Sequence, residues 1–289
     1  MKIFNPSICS KHVPLYKPTE LLEFLRSIGT NPKKGLSQNF LIDGNIIRKI
    51  VSSANVQSGD IVLEIGPGPG SLTEALLDTG ATVIAVEKDV VLAAELERLK
   101  SPTRKLTVHC ADILEFPLDQ LPKGKKIKVI ANLPYHITTP ILAKLVTENE
   151  TFETLTLMVQ DEVARRFAAT PGTGEYSSFT VFLNFYSKPY YSFGVSRNCF
   201  YPVPNVNSAI VTLHLQTPRE VSDVDGFFVM SRTAFGHRRK MLRASLKDLY
   251  TSERVTAALN KLGINPLARP EDLSIEELIL LFETLQLTN

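Results

Sequence analysis

Four consecutive residues in the middle of the chain have the side chains needed to hold and activate an amine: Asn132, Leu133, Pro134 and Tyr135. The exocyclic amine of a nucleobase is a poor nucleophile because its lone pair is delocalised into the ring. The side-chain oxygen of Asn132 and a nearby backbone carbonyl can accept hydrogen bonds from the two N–H groups of the amine and so localise its lone pair. Pro134 fixes a turn and removes a backbone donor, while Tyr135 offers a flat face on which a base can stack.

The same four residues are also an ordinary way for a strand to end in a turn, so their context decides between the two interpretations. The apolar residues 128–131 directly before them predict a buried strand. The amine-holding hypothesis therefore needs a second site nearby, for the group with which the amine would react.

A glycine-rich turn at residues 66–71 is the second signal, because it lies between an apolar strand pattern and a helical pattern. Glycines let the backbone approach a ligand closely and adopt positive φ. The dinucleotide fingerprint requires a third glycine where Ser71 stands. Pro67 and Pro69 remove two N–H donors that a pyrophosphate would need. The turn, with Gly66 and Gly68, therefore indicates a ligand without a pyrophosphate, such as S-adenosylmethionine.

Two acids follow the next two predicted strands. Glu87 lies 21 positions after Gly66, where an acid can accept hydrogen bonds from both hydroxyls of a ribose. Asp112, next to Ile113, is placed to accept from an adenine amino group. Each acid alone is typical of a solvated loop, but a glycine turn and two acids on three successive strand ends predict a nucleoside site.

The elements that would position these residues alternate between strand and helix patterns, which predicts an α/β fold with a mostly parallel, Rossmann-like sheet. Two later apolar runs, Phe179–Tyr186 and Ser208–Gln216, lack a crossover helix and predict antiparallel strands at the edge. The predicted parallel strands are Ile61–Ile65, Thr82–Val86, Leu106–His109, Lys128–Ala131 and Leu155–Val159. The predicted helices between them are Leu72–Asp78, Val90–Leu99, Thr138–Val146 and Glu162–Ala169.

The organisation of the whole chain predicts three parts. Residues 1–35 form a tail and one helix, residues 36–217 the α/β domain, and residues 218–289 a small all-α domain. Residues 223–270 contain nine Lys or Arg and four Asp or Glu, whereas residues 271–289 contain five acids and no base. The global charge of +2 therefore conceals a basic segment that can face an anionic partner.

The densest part of this basic segment consists of Arg238, Arg239, Lys240 and Arg243. On one helix, residues 239 and 243 would share a face, as would 240 and 243. A solvated helix face is the usual role of such a cluster. Crowded like charges repel, however, and the phosphates of a nucleic acid would relieve that repulsion, so we predict a phosphate-contact surface that reads no base.

Composition restricts the class of protein. The 289 residues are 44% hydrophobic and 21% charged, as in ordinary globular proteins. No apolar run approaches the ~20 residues that span a bilayer, and the first ten residues lack the apolar core of a signal peptide. Cys9, Cys110 and Cys199 fit no disulfide framework or zinc site, and the five histidines have no metal-ligand spacing. We therefore expect a cytoplasmic, metal-free monomer with free thiols, not associated with a membrane.

With these residues assembled, the chain resembles the KsgA/RsmA family of small-subunit rRNA adenine dimethyltransferases from about residue 31 to near its C-terminus. The family commonly has glycine where Ser37 stands and Tyr-Gly where Tyr176-Ser177 stands. The segments that carry the resemblance are residues 33–41, 63–73, 130–138, 158–166, 200–209, 235–240 and 269–274.

The resemblance implies methyl transfer from S-adenosylmethionine to N6 of two adjacent adenines, twice each, near the 3′ end of 16S rRNA in the small ribosomal subunit or its precursor. It implies that Asn39 and Leu41 contact the cofactor, together with Gly66, Glu87 and Asp112. It also implies that Asn132 and Tyr135 hold the target adenine and that Phe200 is a second stacking surface. For Phe200 alone, packing in the core is the safer interpretation.

Three alternatives stay open. A large-subunit rRNA adenine methylase of the resistance type would share the first domain, although the long C-terminal half favours the small-subunit family. A non-catalytic RNA-binding assembly factor could use the same fold, but the intact Asn132 and Tyr135 argue against it. A nicotinamide dehydrogenase is disfavoured by the prolines of the glycine turn.

Overall fold

The main sheet has seven strands and is parallel except at one edge. The computed structural model describes residues 15–237 and 240–287. The sheet order is β4-β3-β2-β5-β6-β9-β7, and β9 is antiparallel to both of its neighbours. A separate ribbon pairs β1 with β8. The strands are β1 Phe40–Leu41, β2 Ile61–Ile65, β3 Thr82–Glu87, β4 Leu106–Cys110, β5 Ile127–Asn132, β6 Phe152–Gln160, β7 Ser187–Val195, β8 Phe200–Tyr201 and β9 Ser208–Leu215.

Helices connect the parallel strands and form the C-terminal region. The predicted helix over residues 90–99 is an α-helix only as far as Glu95, and a 3₁₀ helix continues to Leu99. Within residues 15–237 and 240–287, no helix has both the length and the apolar composition to cross a bilayer. The helices are α1 Pro18–Ser27, α2 Gly44–Ser53, α3 Ser71–Asp78, α4 Val90–Glu95, α5 Thr138–Leu145, α6 Asp161–Phe167, α7 Ser178–Tyr186, α8 Val224–Phe235, α9 Leu242–Ser245, α10 Ser252–Lys261 and α11 Ile275–Gln286.

Both faces of the sheet are buried, which explains why its central strands are continuous apolar runs. Side chains alternate across a strand. Leu63 and Val129 therefore enter the core cluster on one face, while Val62 and Ile130 enter the cluster on the other. A parallel sheet covered on both faces by helices requires this pattern.

The strand order reverses between β2 and β5. From β2 the chain proceeds outward to β3 and β4, and then returns to the other side for β5 and β6. Ligands of open α/β sheets bind in the crevice beyond the carboxyl ends of the strands at such a reversal. Because Ile65 pairs with Ala131, the glycine turn and Asn132 leave the sheet side by side.

The prediction of a strand over residues 179–186 is wrong: this segment is helix α7, and the strand follows it as β7. Ser177 and Thr180 form a capping box that begins the helix. The helix is apolar on most sides because it packs between two cores, and Phe182 contacts both of them. The serine at 177, where the family commonly has glycine, is thus the N-cap of α7.

The C-terminal helices do not pack as an isolated unit. Their core includes Phe227, Leu278 and Phe282, and also Tyr176, Val181 and Phe185 from in and around α7. The all-α character predicted for the last seventy residues is present, but the boundary at residue 217 separates side chains that share one hydrophobic core.

Candidate active site

A cavity opens at the carboxyl edge of the sheet, between the ends of β2, β3, β4 and β5. Four separate strand ends contribute to it, as the alternation of strands and helices predicts. They carry the glycines, the acids and residues 132–135, which we call the amine-holding motif. The residues expected at a cofactor or amine site that line it are Asn39, Leu41, Gly66, Gly68, Glu87, Asp112, Ile113, Asn132, Leu133, Pro134 and Tyr135.

The glycine turn requires glycine for conformational reasons at three positions, one of which, Gly70, has φ of +91°. Gly66 has φ of +66° and Gly68 has φ of +57°, values that side chains with a Cβ rarely adopt. A Cβ at Gly68 would also lie 3.1 Å from the ring of Phe40. The ring of Phe40 therefore packs closely against the turn at Gly68.

Glu87 holds this turn in place. Its Oε2 accepts from the backbone N–H of Gly68 at 2.9 Å, and its Oε1 accepts from the N–H of Asp89 at 2.8 Å. Burial raises the pKa of the Glu87 carboxyl, and these two N–H bonds oppose the rise. Each carboxylate oxygen can accept a second bond, so the group is able to bind hydroxyls in the cavity while it fixes the turn.

Asp112 has one oxygen engaged in its own turn and one in an ion pair. Its Oδ1 accepts from the N–H of Leu114 at 2.9 Å, and Lys88 donates to Oδ2 at 2.7 Å. The bond from Lys88 lowers the pKa of Asp112 against an opposing effect of desolvation. The side chain is thus a fixed carboxylate at the edge of the cavity.

Asn132 is oriented by the N-terminal segment. Its Nδ2 donates to the backbone carbonyl of Asn39 at 3.0 Å. With the amide nitrogen used in this way, Oδ1 is the acceptor available to a ligand. The following N–H, that of Leu133, donates to the carbonyl of Met158 on β6 at 3.2 Å, and this bond continues the sheet ladder by one residue.

Tyr135 is anchored through its hydroxyl. The phenol oxygen lies 2.7 Å from the hydroxyl oxygen of Ser208, the buried first residue of β9. Burial raises the pKa of Tyr135, so the phenol is neutral at physiological pH. The ring is therefore held at both ends, by Pro134 in the backbone and by Ser208 at its tip.

Residues 33–39 lie against the cavity, and sequence reasoning missed how they are held there. Lys33 and Gln38 donate to Oδ2 of Asp89 at 2.8 and 3.0 Å. Burial disfavours ionisation of Asp89, but these bonds outweigh it and lower its pKa. Ser37, which stands where the family commonly has glycine, has φ of +50° and contacts His136 at 3.1 Å. The domain boundary predicted between residues 35 and 36 therefore falls within the site.

Glu64 is a second residue that sequence reasoning did not assign. It lies on β2, is 1% exposed and lines the cavity. Burial raises its pKa to about 8. Among the described residues, its Oε2 has no hydrogen-bond partner. The available signal was an acid inside an apolar strand directly before the glycine turn.

Phe200 does not occupy the position expected for a stacking surface. Its side chain is 1% exposed, packs in a core cluster and is absent from the lining of the cavity. It lies on β8, opposite Leu41 on β1. Core packing is the interpretation that this arrangement supports, because pairing with β1 turns the ring toward the interior.

Lys240 and Arg243, the described residues of the basic cluster, do not share one helix as we expected. Helix α8 ends at Phe235, Lys240 lies in a bend, and Arg243 belongs to the four-residue helix α9. Arg238 and Arg239 lie outside the described residues, as does Cys9. Lys240 is exposed, so it is accessible to a partner.

Comparisons with known proteins agree with this geometry. A protein from Protochlamydia amoebophila named "Ribosomal RNA small subunit methyltransferase A" is 59% identical over 278 residues, 94% of this chain and 98% of that one. A crystal structure of a dimethyladenosine transferase from Plasmodium falciparum is similar with a TM-score of 0.72 and 27% identity, over 84% of this chain and 95% of that one. The crystal structure of the 23S rRNA methyltransferase ErmE has a TM-score of 0.67 and 32% identity, over 86% of this chain and 100% of that one.

The family model described as "Ribosomal RNA adenine dimethylase" matches residues 29–287. This match includes the N-terminal segment over the cavity, the glycine turn, the amine-holding motif and the C-terminal helices. The chain belongs to the ribosomal RNA adenine dimethylase family.

Proposed function

We propose that this protein transfers methyl groups from S-adenosylmethionine to N6 of two adjacent adenines near the 3′ end of 16S rRNA. Each adenine receives two methyl groups, in the small ribosomal subunit or its assembly precursor. The observation that carries the proposal is the position of the Asn132 amide, oriented by Asn39, beside a cavity formed at the ends of β2, β3 and β4. This arrangement supports an amine acceptor next to a nucleoside site.

The chemistry of the lining fits S-adenosylmethionine better than a dinucleotide. The charged residues that line the cavity include three acids, Glu64, Glu87 and Asp112, and one lysine, Lys88. Glu64 is protonated because burial raises its pKa to about 8, so it adds no charge. Glu87 and Asp112 still outnumber Lys88, which suits a ligand with a positive charge and ribose hydroxyls, whereas it would repel a pyrophosphate. The bound cofactor supplies an electrophilic methyl group on a sulfonium.

Within this cofactor site, four residues have three separate roles. Glu87 accepts from the ribose hydroxyls while it holds Gly68, and Asp112 accepts from the adenine amino group of the cofactor. Glycines at 66 and 68 let the backbone approach the ligand, because neither has a Cβ in the way.

The target adenine must leave its stack, which costs a few kcal/mol. Tyr135 then provides a face for the flipped base, and its bond to Ser208 keeps that face in place. Oδ1 of Asn132 and a carbonyl of the motif accept the two N6–H bonds and localise the nitrogen lone pair. The contribution of the protein is mainly proximity and orientation, and the proton released from the methylated amine passes to water.

The small-subunit substrate is favoured over the large-subunit one by the relatives. The protein named for the small subunit is 59% identical, whereas ErmE, a 23S rRNA methyltransferase, is 32% identical. The proposed substrate places the enzyme in the cytoplasm, where ribosomes assemble, and its monomeric state stays a prediction.

The test is the transfer of labelled methyl groups to purified small and large subunits, with nucleoside analysis of each product. We expect N6,N6-dimethyladenosine in small-subunit rRNA only. Label in large-subunit RNA would support the 23S alternative. The absence of label from both particles would refute the proposed activity.

A further inference from the structure

The turn after β4 carries two residues of the proposed cofactor site, although it lies beyond the sheet ladder. β4 ends at Cys110, and Asp112 and Ile113 both line the cavity. The carbonyl of Asp112 accepts from the N–H of Glu115 at 3.0 Å and of Phe116 at 2.8 Å, which closes the turn. The carbonyls that follow need donors from elsewhere, because a buried carbonyl without a donor is destabilising.

Lys144 on α5 supplies these donors. Its Nζ donates to the carbonyls of Ile113, Leu114 and Phe116 at 2.9, 2.9 and 2.7 Å. An ammonium group has three N–H donors and no acceptor. The entire hydrogen-bonding capacity of this half-buried side chain is therefore directed to the backbone of one turn.

The charge of Lys144 also acts on the acid of that turn. The bond from Lys88 is the main cause that lowers the pKa of Asp112, desolvation opposes it, and the positive charge of Lys144 adds a smaller lowering effect. The lysine therefore favours the carboxylate form of Asp112 through its charge, while its hydrogen bonds go to other residues of the turn.

Helix α5 connects this turn to the other half of the site. It begins at Thr138, directly after the short 3₁₀ helix Tyr135–Ile137, and Ile141 on its inner face lines the cavity. A shift of α5 would therefore move Lys144 and the residues that follow the amine-holding motif together. The two halves of the cavity are mechanically connected at this point.

We propose that Lys144 is a positioning residue that sets the shape of the turn at residues 112–116 for recognition of the adenine end of the cofactor. This inference rests on the proposed function, because it assumes that Asp112 accepts from the amino group of that adenine. Lys144 acts through the turn and touches no ligand atom.

The test compares two probes on the purified full-length protein by calorimetry: S-adenosylhomocysteine and S-inosylhomocysteine, in which an oxygen replaces the amino group. The wild type should bind the amino compound more tightly. Lys144→Met keeps an unbranched side chain, one heavy atom shorter, but removes all three donors, so we expect it to weaken S-adenosylhomocysteine binding about tenfold or more. The variant should also show a smaller preference for S-adenosylhomocysteine over S-inosylhomocysteine than the wild type does. Lys126→Met, at an exposed position before β5, should change neither.

Hydrogen exchange provides a second measurement that does not depend on a ligand. The amides of Leu114, Glu115 and Phe116 should exchange faster in Lys144→Met than in the wild type. If that variant fails to fold, Lys144→Arg takes its place, because a planar guanidinium cannot direct three donors to three converging carbonyls. An intermediate loss of affinity is then expected.

Two outcomes separate the inference from the function on which it rests. Failure of the wild type to bind S-adenosylhomocysteine, or to discriminate between the probes, would overturn the assigned cofactor site. Normal discrimination by both the wild type and the folded Lys144 variants would overturn the positioning role alone.

Discussion

The side-chain amide of Asn132 donates to the backbone carbonyl of Asn39, 3.0 Å away and 93 positions earlier in the chain. One bond thereby connects the end of β5 to the N-terminal segment, residues 35–41, that lines the cavity. An amide oriented by its nitrogen presents its oxygen, and an oxygen is what an amine substrate requires.

Asn132→Ala is expected to lower turnover while leaving most of the affinity for the cofactor in place. We expect a reduction in kcat of about 10²–10³-fold, the usual effect of removing one catalytic hydrogen-bonding group. Asn132→Asp keeps an acceptor oxygen but cannot donate to Asn39, so it should also be slow. Single-turnover methyl transfer measures both variants. Wild-type turnover in Asn132→Ala at saturating substrate would disprove the amine-holding role.

Tyr135→Ala is expected to weaken binding of the flipped adenine by roughly 1–3 kcal/mol, the contribution of one stacked base. Tyr135→Phe keeps the ring and loses only the bond to Ser208, with an expected effect of about 0.5–1.5 kcal/mol. Ser208→Ala should reproduce the effect of Tyr135→Phe, since it removes the other partner of the same bond. KM for the small subunit is the measurement. Equal KM values for Tyr135→Ala and the wild type would exclude stacking on this ring.

Glu87→Ala should weaken cofactor binding more than Glu87→Gln. Alanine removes the acceptor of both the Gly68 N–H and the ribose, whereas glutamine keeps one neutral oxygen for the turn. Loss of a charged acceptor corresponds to about 1.5–3 kcal/mol. Calorimetry with S-adenosylhomocysteine measures the effect, and Glu153→Ala, at an exposed position on β6, is the control. Unchanged binding in Glu87→Ala would remove this residue from the cofactor site.

The free energy of unfolding of the ligand-free protein should decrease as the pH rises, because of Glu64. The pKa of its carboxyl is raised to about 8 in the folded state, from an ordinary value of 4.5. The folded state therefore holds a proton that the unfolded chain releases, and the stabilisation is complete below pH 4.5 and lost as the pH rises to about 8. At most about 5 kcal/mol is involved.

Urea unfolding at pH 5 and pH 8.5 measures this decrease in the wild type. Glu64→Gln should show a smaller decrease, because glutamine does not titrate, while the exposed control Glu153→Gln should behave as the wild type does. Identical pH dependence of unfolding in the wild type and Glu64→Gln would mean that the Glu64 carboxyl is ionised in the folded protein.

The basic cluster should govern the salt dependence of RNA binding and leave the cofactor unaffected. Replacing Arg238 and Arg239 by alanine should reduce the slope of log K against log salt by about one unit for each phosphate that the variant no longer neutralises. Lys240→Ala with Arg243→Ala should act in the same direction. The exposed pair Lys123 and Lys126 is a control for charge alone. A slope equal to that of the wild type would mean that the cluster is a solvated surface.

The central part of the fold was predictable because its strands are buried on both faces. Runs such as residues 61–65 and 128–131 alternate with helical patterns, which favours strands of a parallel sheet, and the structure confirms both. The carboxyl ends of such strands meet at one edge of the sheet. Spacing alone therefore predicted that Gly66, Glu87 and Asn132 would line a common cavity.

The edge of the sheet was not predictable in the same way. Residues 179–186 are apolar because α7 packs between two cores, and an apolar run of that length does not distinguish a helix from a strand. The true strand, β7, contains Pro189, which disfavours a strand except at an edge. The signal for the helix was the pair Ser177 and Thr180, a local capping arrangement.

Side-chain contacts between distant segments also could not be predicted from the sequence. Phe200 is turned inward by the pairing of β8 with β1, two strands of two residues each. The bonds from Lys33 and Gln38 to Asp89 join residues separated by more than fifty positions. Neither arrangement has a periodic pattern, because each depends on how loops meet in space.

The place of β9 in the sheet has a consequence for synthesis of the chain. β7 is attached to the sheet only through β9, which follows it in sequence and inserts between it and β6. A nascent chain that has emerged through residue 195 thus has β7 without a partner strand. During translation, the part of the sheet formed by β2 to β5 can assemble first. The edge that presents Ser208 to Tyr135 is completed only after residues 208–215 have left the ribosome.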